Sequence, residues 1–492
     1  MNLLDIFYAT AEKSPDHPAI IGPEEHTLYT YASLRATIES TTATLKECGV
    51  KPGDCVGLHY ASGCDYIILN YALWGCGACV VPIPTELVAE EKQRICSEIS
   101  LTYVVSQNGS LHVLTPALNG EPIPLYGDAV LVPIKRFRDA PPGFDQINSA
   151  FLRFTSGTTG TSKGVVLSHE TIFDRIHAAN DGLHIGPDDK IIWLLSMSYH
   201  FAVSIVAYLS FGATIVLCKN HFGSTIINTL NKHSGTLIYG SPMHFQLMAH
   251  DAGSAMLPSL RLAISTTTSL RKETAEEFYK RFKIPLAQAF GIIEIGLPCI
   301  DLDKPLEKTG SVGKVLPAYE IQMEDIGFGE DLRAIKFRGK GLFDAYYDPW
   351  QTREQFMKDG WFATGDLGKL DSEGYLYILG RNKDIINAAG MKFFPQEVEQ
   401  LLDRYPCVKE SCVYAHKHEL FGEVAYANIV MSPATQPPQM EVALKEYCAL
   451  HLAPYKIPEK FFFVEALTRT ASGKLIRDES RLTTIEETSH EP

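Results

Sequence analysis

The stretch Phe154–His169, FTSGTTGTSKGVVLSH, decides how this chain is read. From Thr155 to Gly164 it is made of hydroxyl residues, glycines and a single lysine, a mixture poor at filling a core. Glycines let backbone N–H groups approach an anion closely. Threonine and serine hydroxyls donate to phosphate oxygens, and Lys163 adds a point charge. A Walker loop requires GxxxxGK[ST]. Here Lys163 follows Ser162 and precedes Gly164, so that pattern fails, and no GxGxxG follows a strand. What remains is a hairpin-like loop, entered from the strand AFLRF and left through the strand GVVLS. A plain surface loop has the same composition, and the local residues alone do not choose between the two.

Outward from this loop, strand-like and helical segments alternate. TYASLRATIESTTATLKECG reads as an amphipathic helix capped by Thr30 and ended by Gly49. DCVGLHY, LTYVVSQ, TLIYGSP, LRLAISTT and IPLAQAFG read as strands separated by helices. Such alternation implies parallel sheets covered by helices, with ligands outside the carboxyl ends of the strands. STTTSL (Ser265 to Leu270), AFGIIE (Ala289 to Glu294) and the opening loop all fall at such ends. After about Gly310 the pattern changes to short strands with turns between them, typical of antiparallel sheet. A compact unit follows GRNKDIINAAG: a helix over Pro395–Arg404, strands over Val408–Ala415 and Val424–Met431, and a helix over Met440–Leu450. The expected architecture is α/β. A large N-terminal domain over 1–379 combines parallel α/β sheets with a small antiparallel, barrel-like sheet. A hinge at 380–383 leads to a small, mobile α+β domain over 384–492.

The 492 residues exceed one compact core. The net charge of -14 opposes non-specific binding to nucleic acid. The N-terminal MNLLDIFYATAEKSPDH reads as an amphipathic helix and not as a signal peptide. Ile191–Cys218 carries no Asp, Glu, Lys or Arg and is long enough to span a bilayer. Its serines, His200 and Gly212 divide it instead into a buried strand (Ile191–Leu195), a polar turn, a helix (about Ala202–Leu209) and a second strand (Ala213–Leu217). No integral membrane segment is therefore expected. The 11 scattered cysteines point to reduced thiols and a cytoplasmic location. Cys76 and Cys79 form a CxxC with apolar flanks that suit core packing better than redox or zinc chemistry. His416 and His418 read as exposed loop residues.

Five motifs, in order and over nearly the whole chain, resemble the adenylate-forming enzymes: acyl- and aryl-CoA ligases, peptide-synthetase adenylation domains and luciferases. TSGTTGTSKG resembles that family's phosphate loop, and AFGIIE its aromatic-Gly-x-Thr-Glu motif. TGD (Thr364 to Asp366) resembles its ribose motif, GRNKDIINAAGMKFFPQEVE its hinge, and RTASGKLIR its C-terminal lysine motif. The resemblance implies that a carboxylic acid and ATP give an acyl-AMP and pyrophosphate, and that the acyl group then passes to a thiol.

By that resemblance Thr155, Ser156, Gly157, Thr158, Thr159, Gly160 and Lys163 grip the pyrophosphate, and Glu294 takes Mg²⁺. Thr266, Thr267, Phe290 and Gly291 flank the adenine, and Asp366, assisted by Arg381, binds the ribose. Lys474 bridges carboxylate and α-phosphate, Lys383 is the hinge, and Gly390 lies beside the pantetheine arm. The acid pocket comprises His200, Tyr239, Gly240, Ser241, Gly291, Ile292 and Gly296, with His200 as its gate. The expected cosubstrates are ATP, Mg²⁺ and coenzyme A. A carrier-protein phosphopantetheine or an amine is the alternative acceptor, and a silent nucleotide-binding protein is the alternative from another class.

The chain departs from that family at three places. Ile293 replaces a threonine that donates to the α-phosphate, a bond typically worth about 1.5–3 kcal/mol. STTTSL replaces a small-residue loop, so Thr266, Thr267 or Thr268 is expected to supply the lost donor. Ser162 and Thr468 replace prolines. Apart from His200 and from Glu294, which the resemblance gives to Mg²⁺, the pocket segments SYHFAVS, YGSP and GIIEIG hold no basic residue for a second carboxylate and no acid for an amino group. They favour an acyl or aryl monocarboxylic acid.

Overall fold

The computed structural model describes residues 1–23, 27–154, 163–327, 332–432, 440–469 and 475–477. Residues 155–162 and Lys474, both central to the sequence reading, lie outside the described residues.

Two nine-stranded sheets form the large part of the molecule among the described residues. The first runs Thr27–Thr30, Pro18–Ile21, Thr214–Leu217, Lys190–Trp193, Leu237–Gly240, Leu262–Ser265, Leu286–Ile292, Gly296–Ile300, Lys314–Val315. Its strands from Pro18–Ile21 to Leu286–Ile292 pair in parallel. They are apolar on both faces, as a sheet covered by helices requires; every residue of Thr214–Leu217 is buried. The second sheet centres on the parallel strands Leu101–Gln107, Cys55–His59, Cys79–Pro82 and Ser149–Phe154. Strand Ser149–Phe154 then turns back antiparallel into Gly164–Ser168, with Phe154 opposite Gly164. The two strands expected on either side of the loop are therefore paired.

Helix Tyr31–Glu47 shows how the ends are set. The Thr30 hydroxyl accepts the Ser33 N–H at 3.2 Å and the Ser33 hydroxyl accepts the Thr30 N–H at 2.9 Å. This reciprocal cap satisfies two donors that the first turn leaves open. Gly49, at φ +98°, lets the chain reverse after it. The N-terminal helix Leu3–Lys13 buries Leu3, Leu4, Phe7 and Ala11 on one face.

The apolar stretch 191–218 resolves largely as expected. Strand Lys190–Trp193 leads to helical turns over Met197–Ser210, and strand Thr214–Leu217 follows. The helical part starts earlier than the sequence suggested and contains a π-helical segment, Phe201–Ile205, just after His200. No helix among the described residues is long and apolar enough to cross a membrane. Cys76 and Cys79 are both buried, and burial pushes the Cys76 thiol up to about 11, in keeping with core packing.

Beyond Gly310 a four-stranded antiparallel sheet forms from Tyr319–Asp325, Arg333–Gly339, Phe362–Leu370 and Leu376–Arg381. Strand Leu376–Arg381 passes through the turn Asn382–Asp384 directly into a different sheet, beginning with Ile386–Ala388. That last unit holds helices Pro395–Leu402 and Met440–His451 over a long hairpin, Val408–His418 with Gly422–Met431. The hairpin is longer than the sequence suggested, which corrects the placement of two histidines. His416 and His418 lie on the strand and not in a loop, and His416 stacks on Tyr426 at 4.0 Å. Among the described residues no histidine, cysteine or carboxylate cluster could hold a metal.

Candidate active site

The AFGIIE motif forms the tip of a tight hairpin between Leu286–Ile292 and Gly296–Ile300, with Ile292 opposite Gly296. A Cβ on Gly291 would stand 2.5 Å from the Gly296 carbonyl oxygen, so only glycine closes this hairpin. Glu294, half-buried at the tip, receives a long 3.5 Å contact from the Tyr346 hydroxyl on its Oε1. The ammonium of Lys163 lies 4.3 Å from the centre of the Tyr346 ring. One aromatic ring therefore joins the last residue of the anion loop to the carboxylate of a motif far along the chain. Burial and the Glu294 charge push the Tyr346 phenol up, so it stays a neutral donor.

Two arginines that sequence reading missed complete this region. Arg153, on the strand entering the anion loop, bonds the Tyr199 carbonyl and lies near enough to Glu294 for the two charges to attract. Arg175, on helix His169–Leu183, is 2% exposed. Its Nη1 donates to the Ile293 carbonyl at 2.7 Å, its Nη2 to the Glu294 carbonyl at 2.9 Å, and its Nε to the Gly341 carbonyl. The signal for both was a lone charge in an apolar pattern. Arg153 interrupts AFLRF, and Arg175 stands between the buried Ile172 and Ala179 on the inner face of its helix.

The ribose motif lies on strand Phe362–Leu370. Asp366, 4% exposed, pairs with Arg381 directly across the ladder, Oδ1 to Nε at 3.1 Å. The Thr364 hydroxyl accepts the Asp366 N–H at 2.9 Å, and Gly365 takes φ +76°, a conformation glycine adopts without strain. Lys383 stands two residues past Arg381, and burial lowers its ammonium. Asp366, Arg381 and Lys383 thus form one charged group where the two sheets meet.

His200 lies edge-on to Trp193 and Tyr239, with ring centres 6.4 and 6.2 Å away. The Tyr239 hydroxyl donates to Thr266 Oγ1 at 3.2 Å, and the Thr266 N–H bonds the Gly240 carbonyl at 2.9 Å. Of the three threonines, Thr266 is buried, Thr267 half-buried and Thr268 exposed. Thr267 holds φ +76°, unusual for a β-branched residue and of the kind that clusters at functional sites. Ser241 caps the next helix and bonds His244, whose Nε2 meets His221 Nδ1 at 2.8 Å. Phe290 stacks toward Phe337 at 6.3 Å.

Behind Tyr239 runs a narrow crevice of about 30 Å³, walled by Ile176, Ala179, Val203, Ala207, Ile264 and Leu297. The helix 169–183 side of this wall was not foreseen, because those residues face the pocket only once the helix packs across the sheet.

The sequence-assigned Gly390 occupies, at φ +87°, the turn between strands Ile386–Ala388 and Met391–Phe393. Within the lysine motif, Arg469 and Leu475 pair across a bridge, and the Ile476 N–H bonds the carbonyl of Thr468, just before the motif, at 3.0 Å. Arg477 is anchored on buried Glu399 at 2.7 Å. Arg271 of the large part forms an ion pair with Asp403 of the small one.

Comparison with known proteins agrees with this geometry. Residues 7–347 match the family model described as AMP-binding enzyme, and residues 397–474 match that of the AMP-binding enzyme C-terminal domain. A long-chain-fatty-acid–CoA ligase of Mycobacterium tuberculosis is 28% identical, with 95% of each chain covered. The indoleacetate–CoA ligase of Aromatoleum aromaticum is also 28% identical over 95% of each chain. The o-succinylbenzoate CoA synthetase of Bacillus subtilis, solved with its acyl-adenylate intermediate, superposes with a TM-score of 0.83. It is 24% identical and covers 98% of each chain. The chain belongs to the AMP-binding, adenylate-forming enzymes, of the acyl-CoA ligase type.

Proposed function

We propose that the protein activates an acyl or aryl monocarboxylic acid with ATP and transfers the acyl group to the thiol of coenzyme A. The observation that carries this reading is the Tyr346 ring, which Lys163 covers and whose hydroxyl reaches Glu294. A cation for phosphate and a carboxylate for its counter-ion thus border one site. In the first half-reaction the substrate carboxylate attacks the α-phosphorus in line, the bond to the bridging oxygen breaks, and pyrophosphate leaves. Both reactants are anionic, so catalysis consists of alignment and neutralisation of charge. Thr155, Ser156, Gly157, Thr158, Thr159 and Gly160 with Lys163 hold the departing phosphates. Asp366 accepts from the ribose, supported by Arg381, and Lys474 bridges the two reacting groups.

Glu294 suits Mg²⁺: it offers a hard, half-exposed carboxylate oxygen, and Mg²⁺ is usually held by one or two carboxylates together with substrate phosphates. When bound there the ion neutralises charge on the phosphates. In the second half-reaction the coenzyme A thiolate attacks the acyl carbonyl and AMP leaves. The segment 380–383, where one sheet hands over to the next, is the hinge between a domain over 1–379 and one over 384–492, and Gly390 borders the thiol path. The apolar and small residues of SYHFAVS, YGSP and GIIEIG support an apolar acid, with His200 beside Tyr239. Cysteines without a disulfide support a cytoplasmic location.

ATP–pyrophosphate exchange across a panel of acids tests the first step. Exchange with apolar monocarboxylic acids is expected, and no exchange with any acid would favour a nucleotide-binding protein. Mass spectrometry of mixtures with coenzyme A, a holo carrier protein and amines then identifies the acceptor. A thioester of coenzyme A is expected; an acylated carrier or an amide would replace that part of the reading.

A further inference from the structure

Glu294 sits on a hairpin tip two of whose backbone carbonyls are held by one buried arginine. Arg175 spends its three hydrogen bonds on carbonyls, two of them those of Ile293 and Glu294. The same tip is fastened by two further donors. The Tyr319 hydroxyl reaches the Ile295 carbonyl at 3.1 Å, and the Phe343 N–H reaches the Glu294 carbonyl at 2.9 Å. Space for the aliphatic stem that carries the guanidinium is made by two glycines at positive φ. A Cβ on Gly341 would stand 2.8 Å, and one on Gly296 3.1 Å, from the Arg175 side chain. On its other side Arg175 helps to wall the crevice behind Tyr239. An arginine held in a planar fork fixes its partners more firmly than a lysine, which offers one point of contact.

We infer that Arg175 is a positioning residue that aims the Glu294 carboxylate at the metal–nucleotide by clamping the carbonyls of the turn beneath it. The inference rests on the proposed reading only in that Glu294 faces a metal-bound nucleotide. Removing the clamp leaves the carboxylate in place chemically but frees the direction in which it points. Displacements of about 1 Å in such groups cost on the order of 10²-fold in rate.

The test is equilibrium binding of ATP by calorimetry, with and without Mg²⁺, on the full-length chain and its variants Arg175→Met, Arg175→Lys and Ile172→Ala. Ile172 is fully buried on the same helix, one turn earlier, and is not among the residues that line the crevice. In the wild type Mg²⁺ tightens ATP binding. In Arg175→Met that gain falls roughly tenfold, as expected for one lost or misdirected metal contact, while ATP without Mg²⁺ binds as in the wild type. Arg175→Lys, which keeps the cation, loses part of the gain, and covers the case in which Arg175→Met does not fold. Ile172→Ala lowers the melting temperature and keeps the whole gain.

The inference is overturned if either Arg175 variant keeps the wild-type gain, if Ile172→Ala loses as much as they do, or if the wild type gains nothing from Mg²⁺. These readouts need no acid substrate. Failure of the ligase reading shows separately, as absence of exchange in the wild type with any acid.

Discussion

Replacing Asp366 by asparagine removes a charge and keeps the shape. In the structure the carboxylate is 4% exposed, aligned by the Thr364 hydroxyl on its own backbone N–H and paired with Arg381 Nε at 3.1 Å. Two ribose hydroxyls donate to this carboxylate in the proposed complex. An asparagine accepts on one oxygen only, and its amide nitrogen meets the second hydroxyl as a competing donor. The loss is one charge-assisted bond, about 1.5–3 kcal/mol, or roughly 10- to 150-fold in the ATP dissociation constant. The effect on folding is smaller. The Arg381 side chain is 38% exposed, so solvent screens the pair and its contribution stays below about 1 kcal/mol. The assay compares ATP with 2′-deoxy- and 3′-deoxy-ATP by calorimetry, on wild type and Asp366→Asn. The wild type should discriminate against the deoxy nucleotides, and the variant should lose most of the discrimination against at least one of them. Equal discrimination in both proteins, or an unchanged ATP affinity in the variant, would refute the assignment of Asp366 to the ribose.

Burial holds His59, His169 and His244 down near pKa 4, below the ordinary histidine value. The unfolded chain takes up these protons as pH falls through about 6.5, while the native protein resists until about 4. Stability is therefore full above 6.5 and is lost between 6.5 and 4. The slope is up to about 1.4 kcal/mol per pH unit for each histidine. Denaturant titrations across that window check it, and a flat profile would contradict the burial of neutral imidazoles. Thr267→Gly relieves a φ of +76° and should raise the melting temperature, as differential scanning calorimetry would show; a lowered one means the threonine side chain is otherwise engaged. Lys474→Ala should abolish acyl-AMP formation and largely spare thioester formation from supplied acyl-AMP. Equal loss in both half-reactions, followed by mass spectrometry, would count against a small domain that changes place between steps. Arg271→Ala removes the ion pair to Asp403 and should change the ratio of the two half-reaction rates while leaving ATP affinity unchanged; single-turnover kinetics decides.

What the chain disclosed before folding follows from the range of each interaction. Parallel strands are buried on both faces, so Thr214–Leu217 and its neighbours appear as apolar runs that local pattern detects. Caps are equally local, and Thr30 announced its helix in four residues. Glycines 291, 365 and 390 stand within recognisable motifs. The positive φ of Gly365 and Gly390, and the carbonyl facing Gly291, give each a backbone reason to be glycine. His416 was misplaced because the two arms of its hairpin stay paired down to His418 and Gly422, and pairing leaves little mark on either strand alone.

Arg153 and Arg175 were invisible for a related reason. A charge on an apolar face looks like an irregularity until the carbonyls and carboxylates that satisfy it arrive from elsewhere. Those of Arg175 come from residues 293, 294 and 341. The unpaired cost of burying such a cation is several kcal/mol, so a lone arginine on the inner face of a helix is itself a statement that partners exist. Here those partners are the backbone of the turn that carries Glu294. In the proposed reading the anion loop supplies half of the site, its grip on phosphate. The other half, the aim of the carboxylate opposite, falls in the same reading to Arg175, on a helix that holds none of the five motifs.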